Sequence, residues 1–186
     1  MDRKIKPIET YYNNNRFRSR LEARWAVFFD TLGIKYEYEP EGFKMSDGTL
    51  YLPDFYLPES KQFFEVKGIM TEVDMHKITQ FIEDSGQPCA IGYSDFTFEA
   101  CDWWWDEGFK LNRNKHESCL VCCSKCGKYY FAGIVGSYQC QCCGAYDGDH
   151  YFWISAYGDL SYMTDPVVED AILTAKQARF EHGEKG

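Results

Sequence analysis

Leu50-Tyr51-Leu52-Pro53-Asp54-Phe55-Tyr56-Leu57, then Pro58-Glu59-Ser60-Lys61, then Gln62-Phe63-Phe64-Glu65-Val66-Lys67-Gly68 are two β-prone runs joined by a four-residue turn, the pattern of an antiparallel hairpin. With the turn centred on Glu59–Ser60, residues whose numbers sum to 119 face each other, so Asp54 stands opposite Glu65. Opposed β carbons in such a pair are ~4.5–5.5 Å apart. Two carboxylates at that spacing repel, and a cation that favours hard oxygen ligands, Mg²⁺ or Mn²⁺, turns the repulsion into a site. Lys67 lies two residues beyond Glu65 and so on the same face, where it can hold or activate a water or neutralise charge on a phosphate. The same residues also read as an ordinary strand start at Pro53-Asp54 and a solvated Glu65/Lys67 pair. That plainer reading leaves unexplained why Glu-Val-Lys follows two phenylalanines and ends in glycine.

Upstream of the hairpin, Leu21, Trp25, Phe28, Phe29 and Leu32 recur at helical spacing and predict a helix from about Arg20 to Leu32, stopped at Gly33. Ser19-Arg20-Leu21-Glu22 fits a capping box at its start. Alternatively Glu22 lends a further carboxylate to the metal site; one carboxylate does not easily serve both roles. Ile34 to Glu39 alternates as a half-buried strand. Downstream, a helix fits Glu72 to Asp84 with Ile78, Phe81 and Ile82 inward and His76, Lys77 and Gln80 on the polar side. Pro88 to Tyr93 reads as another strand, residues 94–118 resist assignment, and Asp165-Pro166 opens a helix running to about Phe180.

Four blocks carry a family likeness: Phe17-Arg18-Ser19-Arg20-Leu21-Glu22, Gly33-Ile34-Lys35-Tyr36-Glu37-Tyr38-Glu39, Leu52-Pro53-Asp54-Phe55-Tyr56-Leu57-Pro58 and Phe64-Glu65-Val66-Lys67-Gly68. Together they resemble the PD-(D/E)XK nuclease superfamily, in order and spacing most like the junction-resolving endonuclease I of phages and its relatives, over residues 16–93. The resemblance implies a restriction-endonuclease-like α/β fold, a central mixed sheet flanked by helices. It also implies phosphodiester hydrolysis by an activated water in an Mg²⁺- or Mn²⁺-dependent endodeoxyribonuclease. Glu22, Asp54 and Glu65 would be its acidic residues, Lys67 its lysine, and the Val66 backbone carbonyl a further group facing the metal. No member of the signature is missing.

Seven of the nine cysteines fall between Cys119 and Cys143. Cys123-Ser-Lys-Cys126-Gly127-Lys-Tyr129 recurs as Cys140-Gln-Cys-Cys143-Gly144-Ala-Tyr146, two copies of Cys-x-x-Cys-Gly-x-Tyr. Four thiolates suit one closed, structural Zn²⁺, so the segment resembles a zinc ribbon of two knuckles. The repeat selects Cys123 and Cys126 over Cys119 and Cys122 and leaves Cys142 spare; Cys89 and Cys101 read as buried residues. Lys125 and Lys128 give the ribbon a basic rim, read either as a nucleic-acid-contacting arm or as part of a staple that lets a short segment fold. Trp103-Trp104-Trp105 reads as packing between core and ribbon, or as a stacking surface for bases.

Composition frames these readings. Apolar residues are 45 %, charged 26 % and aromatic 18 %, ordinary for a globular chain apart from the aromatics. No apolar run approaches the ~20 residues of a membrane helix. Met1 to Pro7 is charged with no signal-peptide core behind it, so the expected compartment is the cytoplasm of a bacterial or phage-infected cell, where clustered thiols bind metal. The net charge of −9 argues mildly against nucleic acid, but residues 1–35 hold eight Lys/Arg against four Asp/Glu, and residues 110–128 five against one. The division expected is a nuclease core over 1–115, a ribbon over 116–158 and a closing helix over 159–186. DNA is the expected partner, and the reading allows a homodimer. The contrasting expectation is a non-catalytic protein of nuclease fold that binds nucleic acid or inhibits a protein partner through its acidic surface.

Overall fold

The computed structural model describes residues 7–104, 107–134, 138–146, 148, 151–160, 162 and 164–180, with only the backbone at 103 and 104; the Trp103-Trp104-Trp105 side chains lie outside these. β1 (Thr10–Tyr12) and β2 (Asn15–Phe17) make a small antiparallel ribbon turned at Asn13 and Asn14, whose φ angles of 45° and 63° suit asparagine. α1 (Arg20–Leu32) begins where the Ser19 hydroxyl accepts from the Glu22 N–H, and ends at Gly33 with φ 67°.

The next strands are β3 (Glu37–Tyr38), β4 (Phe43–Lys44), β5 (Leu50–Tyr51), β6 (Phe55–Leu57) and β7 (Gln62–Lys67). The strand expected over 50–57 is therefore two. β5 pairs with β4 in a ribbon of its own, while β6 pairs with β7 and β3. Pro53, which cannot donate a ladder hydrogen bond, sits at the break. The expected strand over Ile34–Glu39 shortens to β3, followed by Glu39 at φ 46°. Beyond come α2 (Glu72–Ser85), β8 (Cys89–Tyr93), β9 (Phe98–Trp104) and β10 (Gly108–Asn112). The stretch that resisted assignment thus holds two antiparallel strands in the order Trp104↔Gly108 to Ala100↔Asn112.

The main sheet runs β10-β9-β8-β7-β6-β3. β7 and β8 are parallel and the other pairs antiparallel, so the sheet is mixed. α2 is the crossover that a parallel pair requires. Alternation along β7 sorts its side chains: Phe64 and Val66 join the core under α1, with Trp25, Phe29 and Phe55, whereas Phe63 joins Ile78, Phe81 and Ile82 under α2. Gly92 on β8 is forced by this packing, since a β carbon there would come within 2.5 Å of both Phe64 and Trp25.

The cysteine-rich segment adds a second antiparallel sheet of β11 (Ser118–Cys123), β12 (Tyr129–Gly133) and β13 (Phe152–Tyr157), in the order β12-β11-β13. Its inward residues Leu120, Phe131 and Ala156 belong to the same core as α1, and the Phe131 ring lies 4.9 Å from that of Phe64 and 5.0 Å from that of Phe98. α3 (Pro166–Gln177), capped by Asp165 with proline in its first turn, packs on α1. Both helices bury alanines, Ala23 and Ala26 on one and Ala171 and Ala175 on the other, which lets their axes approach closely. Among the described residues there are three α-helices, and no helix is long and apolar enough to cross a membrane.

Candidate active site and metal centre

Pairing in β6–β7 is Phe55↔Phe64, Tyr56↔Phe63 and Leu57↔Gln62, the register expected from the turn. Asp54, one residue before β6, continues it and sits beside Glu65. Asp54 donates its backbone N–H to Glu65 Oε2 at 3.3 Å, and its own carboxylate accepts from the Val66 N–H at 2.7 Å. A strand residue sends N–H and C=O to the same edge, so the Val66 carbonyl also faces the Asp54 side. Both carboxylates are almost fully buried, Asp54 at 4 % and Glu65 at 3 % exposure. Burial first, then the charges of Glu65 and Glu22, push the Asp54 carboxyl well above the usual carboxylate range.

Cations and a phenol offset this crowding. Lys67 reaches Glu65 Oε1 at 2.7 Å and Asp74 at 3.5 Å. Burial works against its charge, but Glu65 and then Asp54 and Asp74 hold the ammonium above its ordinary value. Arg18 bridges Asp54 and Glu39 at 2.6 Å each. The Tyr51 hydroxyl donates to Glu65 Oε2 at 2.8 Å, and burial together with nearby acids pushes it well up. Arg18, Tyr51 and Asp74 did not emerge from the sequence. Asp74 had a local signal: Thr71-x-x-Asp74 is a full capping box at the start of α2, and its second oxygen turns to Lys67. Mild burial opposes it, yet the Thr71 hydroxyl and the Lys67 ammonium keep Asp74 below its usual range. Of the polar residues expected on α2, Gln80 bonds Ser46 at 3.3 Å.

Glu22 is buried, and both of its oxygens are engaged locally. It accepts from the Ser19 hydroxyl at 2.7 Å, the Arg18 N–H at 3.1 Å and the Tyr38 hydroxyl at 2.5 Å. The return bond of the expected box thus goes to the Arg18 amide and the Ser19 hydroxyl. Glu22 is near enough to raise the Asp54 carboxyl. Among the described residues, however, only four cysteines form a set of three or more His, Cys, Asp or Glu whose ligand atoms all lie within 4.8 Å of one another; Glu22, Asp54 and Glu65 are more widely spread.

That cysteine set is Cys123, Cys126, Cys140 and Cys143, and it can bind a metal such as zinc. The Sγ atoms of Cys123 and Cys143 are 3.7 Å apart, those of Cys126 and Cys140 3.4 Å, close to the ~3.8 Å edge of a tetrahedron with Zn–S of ~2.3 Å. The repeated motif gives a repeated turn. Gly127 N–H bonds the Cys123 carbonyl and Gly144 N–H the Cys140 carbonyl, at 2.7 and 2.9 Å, with φ of 70° and 71° at the two glycines. Burial opposes thiolate formation at Cys123, Cys126 and Cys140. The Tyr130 hydroxyl, 2.9 Å from the Cys140 sulfur, and two backbone amides nevertheless bring Cys140 down to about 6, whereas burial and the neighbouring thiols push Cys126 up to about 12. Four thiolates side by side need a cation. Cys119 and Cys122 are buried outside the set, and burial raises each to about 11. Lys128, expected on a basic rim, pairs with Glu59 of the hairpin turn at 2.6 Å, and the exposed Cys142 thiol meets the Glu59 carbonyl at 3.5 Å. Compared with protein-family profiles and with curated proteins, the chain matches none.

Proposed function

We propose that the protein is a metal-dependent endonuclease of the PD-(D/E)XK type that hydrolyses DNA phosphodiester bonds, its cysteine-rich segment a zinc ribbon. The observation carrying the reading is a pair of buried carboxylates on neighbouring strands, Asp54 and Glu65, with Lys67 on the face of Glu65. Burying two like charges side by side is costly unless something positive binds between them. The donors fit Mg²⁺ or Mn²⁺: all are hard oxygens, from Asp54, Glu65 and the Val66 carbonyl. When bound, such an ion supplies Lewis acidity toward a phosphoryl oxygen and lowers the pKa of water. Lys67, kept protonated by Glu65 and Asp74, serves as a donor to a phosphate oxygen or to the attacking water rather than as a proton acceptor. Glu22 is a positioning residue here, fixing Arg18 and Tyr38 beside Asp54. Linear, nicked, single-stranded and four-way-junction DNA incubated with Mg²⁺, Mn²⁺ or EDTA tests the proposal. Cleavage of at least one substrate that stops in EDTA is expected. Absence of cleavage under all metal conditions would sink the reading and leave the non-catalytic one.

A further inference from the structure

The start of α1 and the end of α3 border an open groove of about 600 Å³ lined by Arg24, Lys176, Gln177, Ala178 and Arg179, with no carboxylate among the described residues of its wall. Arg20 stands one turn before Arg24 on the same face of α1. Among the described residues Arg20, Arg24 and Arg179 enter no ion pair. The Nε atoms of Arg20 and Arg24 are buried without a hydrogen-bond partner, which native structures rarely tolerate. Lys176 lies over the Phe96 ring at 5.8 Å. Its place at the C-terminal turn of α3 agrees with that helix's dipole, whereas the dipole of α1 disfavours a cation at Arg20 in its first turn and has faded by Arg24. Helix electrostatics therefore do not account for Arg20 and Arg24, whereas an anion in the groove would.

Chain neighbours of the groove residues reach the candidate site and its strands. Arg18, two residues before Arg20, holds Asp54. Trp25, next to Arg24, donates its indole N–H to the Tyr93 carbonyl at 3.2 Å, and Tyr93 is paired with Lys67 across the β7–β8 ladder. Arg20 and Arg24 are separated by ~6 Å along the helix, and one strand of duplex DNA presents a charge every ~3.4 Å of its axis. We propose that this groove binds the sugar-phosphate backbone of a nucleic-acid strand as it leaves the Asp54–Glu65–Lys67 site, with Arg20, Arg24, Lys176 and Arg179 as phosphate contacts. The choice of polyanion rests on the nuclease reading.

The test uses the full-length, zinc-loaded protein and a fluorescent DNA duplex, titrated without divalent cation over a series of NaCl concentrations. Arg24→Gln with Arg179→Gln should weaken binding about tenfold and reduce the slope of log affinity against log salt by about 1.8, or ~0.9 for each lost phosphate contact. The Arg24→Lys, Arg179→Lys protein should recover the slope. Lys44→Gln, at an exposed position on β4, should change neither value. An unchanged slope overturns the proposal even if affinity falls, because that pattern marks damage rather than lost phosphate contacts; failure of the wild type to bind DNA overturns it too. A slope change in a protein that cuts no DNA would leave the groove standing and end the nuclease reading.

Discussion

The side-chain amide of Gln62 satisfies both backbone groups of Phe131: its Nε2 donates to the carbonyl at 2.5 Å and its Oε1 accepts from the N–H at 3.1 Å. The first residue of β7 thereby takes the place of a neighbouring strand for β12, and joins the strand bearing Glu65 and Lys67 to the cysteine-rich sheet. Gln62→Leu keeps much of the volume but strands a buried donor and acceptor, at ~1–3 kcal/mol for each. Urea unfolding at saturating zinc should show a loss on the order of 2–6 kcal/mol. A change below about 0.5 kcal/mol would mean that the two sheets do not depend on this pair.

Zinc should be bound once per chain and held by the repeated turns. Elemental analysis of purified Cys126→Ser and Cys143→Ser proteins should show the metal lost, and Cys119→Ser should retain it, because Cys119 is buried outside the four-sulfur set. Chelation should also lower the melting temperature of the whole protein, since Gln62, Glu59 and Phe131 join ribbon and main sheet. Zinc retained by both serine variants would refute this ligand choice.

Asp54→Ala, Glu65→Ala and Lys67→Ala should each reduce cleavage by at least about a hundredfold, the scale typical of a lost electrostatic or proton-transfer group, while circular dichroism stays native. Near-normal rates in any one of these folded variants would remove that residue from the chemistry.

Asp54→Asn should stabilise the metal-free protein. The Asp54 carboxyl is raised in the folded state above an unfolded value of ~3.9. Its contribution is thus fully present below about pH 4 and is lost as pH rises through the folded value. Metal-free wild type should lose stability from pH 4 toward neutrality. The asparagine variant should have a flatter profile and melt higher at neutral pH, by about 0.2–1 kcal/mol. Adding Mg²⁺ or Mn²⁺ should stabilise wild type by mass action and the variant much less. Thermal melts with a chelator mild enough to spare zinc measure both effects, and a variant less stable than wild type at pH 7 would contradict a carboxylate clash.

What could be read from the sequence was what short-range geometry decides. The hairpin register followed from the centre of its turn, and the four-cysteine set from a repeat whose two copies fold alike. The α1 limits followed from apolar spacing between Ser19 and Gly33. Contacts made through space left no such trace. Arg18 meets Asp54 across 36 positions, and Tyr51 reaches Glu65 only because the chain breaks at Pro53 and carries β5 into another ribbon. Asp74 was hidden by its role as a helix cap. β9 escaped because its alternation breaks at Ala100-Cys101, and β10 because its period-two run, Phe109-Lys110-Leu111-Asn112, is at the shortest length such a pattern can show.

The packing of α3 on α1 sets an order for biosynthesis. The 143 positions that separate Ala23 from Pro166 take roughly 7–30 s to translate at ~5–20 residues per second. For that interval the face of α1 with Ala23 and Ala26 lacks its cover, and β7 waits 69 positions after Gln62 for the Phe131 peptide that Gln62 will meet. A ribosome-bound chain can assemble the hairpin with its acidic pair before either contact exists. Nascent copies therefore pass through a stage in which the acidic pair is formed and the α1 face is open, a stage suited to chaperone capture and exposed to aggregation.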